Sequence, residues 1–325
     1  MTLVEISGGL GNQLFQYAMA RRLALRGDGI MHADLYQLGL PQNQPPRKFR
    51  LDLFHSCVQP LPWHCVWRYS KREFLDRLTR RYLPKKLARR LLSLAARRGL
   101  KSPCAYRFDA CVSGRPKPML QIGMVVSERQ FHFDPEVLDL SGDLLLMGYW
   151  QTEKYFADIA PQLRAELQVK TPQTGQNLAV GCQMRAQQSV SLHIRRGDKA
   201  VAKDFNGSTA EYHQRAMAWF RERLSNPVFF VFTDDWDWVQ QHLPAAPDVI
   251  HVNHNSQDQE YEDLRLMSQC RHHIIALSSF SWWGAWLNPS PDKLVVCPPH
   301  KRWFNFPNCD TVDIFPDTWV QIDDL

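Results

Sequence analysis

A chain of 325 residues, 44% hydrophobic and 22% charged with a formal net charge of +6, can bury a full core and divides by length into about two domains. This balance excludes a disordered or low-complexity protein, and no apolar run approaches the roughly 18 residues of a membrane-spanning helix. The opening Met1-Thr2-Leu3-Val4-Glu5-Ile6 lacks the basic and long apolar regions of a secretory leader, so the protein is expected in the cytosol.

Leu3-Val4-Glu5-Ile6 predicts a short strand running into Gly8-Gly9-Leu10-Gly11-Asn12-Gln13, and Leu14, Phe15, Tyr17, Ala18, Leu23 and Leu25 predict a helix that Gly27 ends. In a strand, glycine loop and helix unit the glycines admit a ligand close to the backbone, and the helix N-terminus offers unpaired N–H groups to an anion. Leu14 occupies the third glycine position of the dinucleotide fingerprint, which weakens a nicotinamide-cofactor reading. Asp28 and Asp34 lie near the spacing of its ribose-binding acid and serve equally as loop residues.

Between Arg68 and Lys101 there are 13 Lys/Arg against Glu73 and Asp76, a balance of +11 that leaves −5 for the rest of the chain. Leu75, Leu78, Tyr82, Leu87, Leu91, Leu92 and Leu94 fall at helical spacing there and are interrupted by Pro84, which predicts two short basic amphipathic helices. Such helices suit peripheral contact with an anionic membrane, here the inner face of the cytoplasmic membrane, and equally suit a solvated basic face. Nucleic acid is not expected as a partner, because no aromatic-interleaved RNA motif or zinc finger accompanies the charge.

Residues 170–188 are mainly polar and are the candidate interdomain connection, with a boundary near 175. That gives an N-terminal domain over 1–175, carrying the basic insert near 68–101, and a C-terminal domain over 176–325. Beyond the boundary, strands at Val190–Ile194, Val228–Thr233, Val249–Val252, Ile274–Leu277 and Leu294–Cys297 alternate with helices at Ala210–Leu224, Trp238–Leu243, Gln259–Cys270 and Phe280–Leu287. Strict alternation implies a parallel sheet covered by helices on both faces, whose ligands sit at the carboxyl ends of its strands.

Three polar clusters fall at that edge. Arg195-Arg196-Gly197-Asp198 follows the strand that carries His193 and presents paired guanidinium groups, which suit phosphate or pyrophosphate; a solvated turn with a local Arg–Asp pair is the alternative. Ser278-Ser279-Phe280-Ser281 ends a strand and opens a helix, where hydroxyls and free N–H groups hold a phosphate or simply cap the helix. Asp234-Asp235, with Asp237, is either a divalent-metal pair or a reader of guanine or ribose, and the two arginines favour the metal-free reading. Trp282, Trp283 and Trp286 read as core. Eight scattered cysteines without a Cys-x-x-Cys pair read as free thiols, and His272-His273 precedes a strand without zinc-ligand spacing.

Five ordered blocks make the chain resemble glycosyltransferase family 11, the α-1,2-fucosyltransferases, in a bacterial form. They are Gly8 to Tyr17, Gly148-Tyr149-Trp150-Gln151-Thr152-Glu153-Lys154-Tyr155-Phe156, His193 to Asp198, Phe232-Thr233-Asp234-Asp235, and Ser279 to Leu287. The resemblance implies an α/β fold of GT-B type, two Rossmann-like domains facing a cleft, with GDP-β-L-fucose on the C-terminal one and the acceptor mainly on the other. It carries over Arg195 and Asp198 as catalytic, Arg195 holding the β-phosphate while Asp198 and Arg196 shape the loop. His193 lies near the nucleotide, Asp234 or Asp235 reads guanine or ribose, and Ser278, Ser279 and Phe280 form the phosphate-side helix end. Gly9, Gly11, Asn12 and Gln13 close on the diphosphate and fucose from the other domain. Leu277 stands where the family pattern has Asn, so no role is carried over there.

The implied reaction is inverting, metal-independent transfer of L-fucose to the 2-hydroxyl of a galactoside in an O-antigen-like surface glycan. The acceptor substrate could be lipid-linked, and no cofactor beyond the donor is implied. No base is assigned; Asp34, His32 and Glu153 are the acceptor-side candidates. A non-catalytic nucleotide-sugar binding module and an NAD-dependent oxidoreductase are the competing classes. Arg195, Asp198 and the Asn12 loop, polar groups on both cleft faces, argue against the first.

Overall fold

The structure is a computed structural model and describes residues 1–39, 47–61, 124–128, 131–196, 209–243, 246–304 and 309–323. The basic segment over 68–101 and Asp198 lie outside the described residues.

Two parallel sheets organise the described residues. The first has the order β3-β2-β1-β5-β4, built from β1 (Thr2–Glu5), β2 (Met31–Asp34), β3 (Gln59–Pro60), β4 (Met124–Ser127) and β5 (Leu144–Met147). Val4 pairs with Ala33 on one side and Leu146 on the other, and all three are fully buried. Sheets covered on both faces are made of such unbroken apolar strands. The second has the order β11-β10-β9-β6-β7-β8, built from β6 (Gln188–Ile194), β7 (Pro227–Thr233), β8 (Val249–His251), β9 (His272–Ile274), β10 (Val295–Cys297) and β11 (Val320–Gln321). Each order reverses direction once, between β1 and β5 in the first sheet and between β6 and β9 in the second. Ligands of doubly wound sheets sit beside such reversals, at the carboxyl ends of the strands. Two such sheets are the GT-B type of α/β architecture.

The α-helices of the described residues are α1 (Leu10–Ala24), α2 (Ala160–Glu166), α3 (Gly175–Ala186), α4 (Ala210–Arg223), α5 (Trp236–His242), α6 (Glu260–Gln269) and α7 (Ser279–Leu287). Helices α1 and α7 join the two halves. Both are buried almost all round, as a helix must be when neighbours cover every face. The Phe15 ring of α1 lies 4.4 Å from that of Trp282 and 5.0 Å from that of Trp283, so the tryptophans of α7 are core.

Two elements differ from the sequence reading. The candidate connection over 170–188 is largely helix α3, whose inner face carries Val180, Gly181 and Met184 at helical spacing, and Gly181 lets the helix approach α6: a Cβ there would lie 2.4 Å from Gln269 Oε1. The expected strand over Ile274–Leu277 is instead His272–Ile274. Its histidines enter the sheet because their rings find partners: His273 Nδ1 pairs with Ser191 Oγ at 2.8 Å and Nε2 with Asn288 Nδ2 at 2.9 Å. The chain leaves the sheet afterwards in a turn closed by Ser278 N–H to Ala276 O.

Candidate active site

Adjacent strands β6 and β7 end in register, Ile194 beside Thr233, which delivers Arg195 and Asp234 to one edge. Arg195 Nη1 lies 2.7 Å from Asp234 Oδ2, and the other carboxylate oxygen accepts the Arg196 backbone N–H at 2.9 Å. Asp235 caps α5 by accepting the Trp238 N–H at 3.1 Å, its second oxygen lies 3.5 Å from Arg196 Nε, and the Arg196 guanidinium lies 4.6 Å from the centre of the Trp238 ring. Each aspartate therefore fixes one arginine, yet the arginine side chains stay 27% and 25% exposed.

Across the β6/β9 reversal stands the N-terminus of α7. Ser278 Oγ accepts the Phe280 N–H at 3.3 Å, and the Phe280 ring lies 5.5 Å from His193. Guanidinium groups on one side and a helix N-terminus on the other are groups whose chemistry suits an anion.

The first sheet brings its own reversal to the same place. Gly8, at φ +74°, turns the chain from β1 into α1, whose third residue Asn12 accepts from Ser279 Oγ at 2.8 Å and from Gln151 Nε2 at 3.0 Å. Gln151 Oε1 in turn accepts the Trp303 indole N–H at 2.9 Å. Gln151 belongs to a strained turn after β5, with Gly148 at φ +152° and Trp150 at φ +59°. That turn wraps the Glu128 carboxylate, which accepts the N–H groups of Tyr149 at 2.7 Å and Trp150 at 2.9 Å, with Gln151 N–H as a third donor. Burial pushes the Glu128 carboxyl up to about 7, against the pull of those three donors. A Cβ at position 148 would lie 2.4 Å from that of Glu128, which is why glycine opens the block.

With this geometry in place, the profile of glycosyl transferase family 11 matches residues 132–323, more than half of the chain. The chain belongs to glycosyl transferase family 11. It is 29% identical to the alpha-1,2-colitosyltransferase of Escherichia coli over 99% of both chains, and 28% identical to the O-antigen biosynthesis glycosyltransferase WbnK of Escherichia coli over 98% of this chain and 99% of that one. It is 29% identical to the galactoside alpha-(1,2)-fucosyltransferase 1 of Leontocebus fuscicollis over 49% of this chain and 48% of that one. Among solved structures, it resembles NodZ alpha-1,6-fucosyltransferase soaked with GDP-fucose at 14% identity and a TM-score of 0.46, over 89% of this chain and 92% of that one.

In this family 11 transferase the structure gathers Arg195, Arg196, His193, Asp234, Asp235, Ser278, Ser279, Phe280, Gly9 and Asn12 around the two reversals. Gln13 and Gly11 stand apart from a donor-facing role. Gln13 is fully buried, its amide donating to Gly8 O at 3.1 Å and Lys48 O at 2.8 Å while accepting the Arg50 N–H at 2.9 Å, so it holds the 47–50 loop. A Cβ on Gly11 would lie 2.5 Å from Phe280 N, so this glycine serves the contact of α1 with α7. Leu277 is buried in the core. Among the acceptor-side base candidates, Glu153 accepts the Trp286 indole N–H at 2.8 Å and is structural, and Asp34 is buried at the end of β2. His32 lies in β2 with Nδ1 buried.

Sequence reasoning missed Glu128, Gln151 as a link to Asn12, and Arg47. The Arg47 guanidinium lies 3.9 Å from where a Cβ on Gly9 would be, over the start of α1. The signal was available in the run Arg47-Lys48-Phe49-Arg50, a basic cluster after two prolines. For Glu128, nothing in the sequence marks a lone carboxylate at a strand end.

Proposed function

We propose that this chain transfers L-fucose from GDP-β-L-fucose to the 2-hydroxyl of a galactoside in a surface glycan, with inversion and without a metal ion. The observation that carries the reading is Arg195, anchored by Asp234 and facing the Ser278-capped start of α7 across the β6/β9 reversal. As the bond to fucose breaks, negative charge grows on the β-phosphate of GDP, and a pre-oriented guanidinium with a helix N-terminus stabilises it. The acceptor hydroxyl then attacks from the opposite face of a sugar with oxocarbenium character. Metal independence is supported by the use of Asp234 and Asp235, whose oxygens are engaged with two arginines, a backbone N–H and a helix cap. The galactoside acceptor and the O-antigen context are supported by the relatives' names.

A second reading concerns the donor sugar. The relative matched over 99% of both chains is a colitosyltransferase, and colitose is L-fucose without its 3-hydroxyl. A site that hydrogen-bonds that hydroxyl discriminates strongly against the deoxy sugar, whereas an apolar one does not.

Isothermal titration with GDP in EDTA, followed by transfer assays with GDP-fucose and GDP-colitose on methyl β-galactoside, tests both readings. Micromolar GDP binding without metal, lost in Arg195→Ala, and faster turnover of GDP-fucose support the proposal. Binding that requires a divalent ion overturns the metal-free mechanism, and preference for GDP-colitose overturns the donor.

A further inference from the structure

Glu128 and its surroundings lie outside the donor machinery, at the carboxyl edge of the first sheet. The carboxylate follows β4, the turn it holds follows β5, and the Gln151 side chain of that turn reaches Asn12 and hence Ser279 on α7. The turn is thus two hydrogen bonds from the start of α7, and the carboxylate three. Ligands of parallel sheets gather at such edges, and the partner that attacks a nucleotide sugar has to approach the site opened by the second sheet from the first.

Three aromatic rings cluster with the turn that bonds the carboxylate, one of them on Tyr149 of that turn. The Tyr149 ring, on the residue whose N–H bonds Glu128, stacks on Phe131 at 6.3 Å and 15°, and Phe131 lies 4.5 Å from Phe304, which comes from the other half of the chain. All four residues are partly exposed. Core aromatics elsewhere in this molecule, such as Phe15, Trp282 and Trp283, are sealed completely. Rings left partly open at the junction of two halves, one of them on a turn that bonds a carboxylate, have the composition of a ligand site: apolar faces with few, well-placed polar groups.

The carboxylate also retains capacity. An ionised carboxylate offers about four acceptor positions, and among the described residues three backbone N–H groups occupy three of them. A hydroxyl is the donor that fits the remaining one. With its carboxyl near 7, the group exchanges readily between accepting and donating forms at neutral pH.

We propose that Glu128, Tyr149, Phe131 and Phe304 form the acceptor subsite, which takes a pyranose by stacking its C–H face on the rings and bonding one of its hydroxyls to the carboxylate. The inference rests on the glycosyl-transfer reading and names where the acceptor binds.

Saturation-transfer NMR of methyl β-galactopyranoside and methyl β-glucopyranoside, with the GDP-loaded full chain, tests it apart from turnover. The wild type is expected to give a signal for the galactoside that falls at least fivefold in Tyr149→Leu, Phe304→Leu and Glu128→Gln. Affinity for GDP, measured by calorimetry, is expected to stay within about threefold. The two ring variants keep the test sound should Glu128→Gln release the turn and unfold. Signals equal to wild type in both ring variants, or no glycoside signal in the wild type, overturn the subsite. A glycoside signal that behaves as expected while GDP-fucose yields no transfer leaves the subsite standing and overturns the fucosyl-transfer reading instead. A glucoside signal without a galactoside one supports the subsite and overturns only the galactoside.

Discussion

Asn12 and Ser279, 267 residues apart, meet in a 2.8 Å hydrogen bond in which the serine hydroxyl donates to the asparagine carbonyl. The same oxygen accepts from Gln151 at 3.0 Å, so a single acceptor links the start of α1, the turn after β5 and the start of α7. Removing it strands two donors in a partly buried place, and each stranded donor costs about 1–3 kcal/mol. Asn12→Ala is therefore expected to lose about 2 kcal/mol in urea unfolding and to bind GDP about tenfold more weakly. Asn12→Asp keeps the acceptor but adds an anion beside the proposed diphosphate site, so it should recover stability and not GDP affinity. Recovery of both in the aspartate variant would show that the residue does not face the nucleotide.

Gly11→Ala tests the seam itself. The added methyl would lie 2.5 Å from Phe280 N, 2.5 Å from Ser279 C and 2.7 Å from Ser279 Oγ, and backbone cannot yield as a side-chain tip can. The ends of α1 and α7 must separate, at an overpacking cost of roughly 1–3 kcal/mol. Thermal unfolding should fall by several degrees, with Trp282 and Trp283 fluorescence reporting the loosened contact with Phe15. A variant as stable as wild type would mean the helices are free to slide.

Arg195 and Asp234 should differ in the size of their effects. If Arg195 stabilises charge on the departing phosphate, Arg195→Ala removes about 3 kcal/mol of transition-state stabilisation, on the order of a hundredfold in kcat or more. Asp234→Asn leaves the guanidinium in place but replaces the charged partner at 2.7 Å with a neutral one. Its expected effect is about tenfold, on kcat more than on KM. Equal losses in the two variants would assign Asp234 a direct contact with the nucleotide.

Much of this arrangement could be read from the residues. Strict alternation of apolar strands and amphipathic helices after residue 188 announces the second sheet, and Arg195 and Ser278 fall at its edge because the apolar runs 190–194 and 274–277 end in abrupt polar clusters. What stayed hidden depends on pairing across long separations. Gly11 looks like a ligand-binding glycine in the sequence, and only the approach of α7 from 268 residues later, at Ser279, gives it a packing role. Gln13 looks like a polar group offered to a ligand, and only the 47–50 loop folded over it shows that its amide is satisfied internally. The helix at Gly175–Ala186 is hard to read because its apolar residues do not mark one face: Leu178 is exposed, and just Gly181 and Met184 are buried.

His213 gives the fold a pH dependence whose sign can be worked out. It is fully buried on α4, both ring nitrogens find no hydrogen-bond partner among the described residues, and burial, with His193 and Arg196 adding like charge, lowers it from 6.5 to about 3. As the pH falls through 6.5 the unfolded chain takes up a proton that the folded chain refuses until about 3, so stability is full above 6.5 and declines below it. The slope for one such proton is about 1.4 kcal/mol per pH unit. Between pH 7.5 and 5.0 the residue should thus remove roughly 2 kcal/mol. His273, also held well below its ordinary value by burial, adds to the wild-type slope, so the informative quantity is a difference. Urea unfolding of His213→Leu at both pH values should show a decline smaller than that of the wild type by one proton's share. The same decline in both proteins would mean that His213 accepts its proton in the folded state, with a partner or a path to solvent.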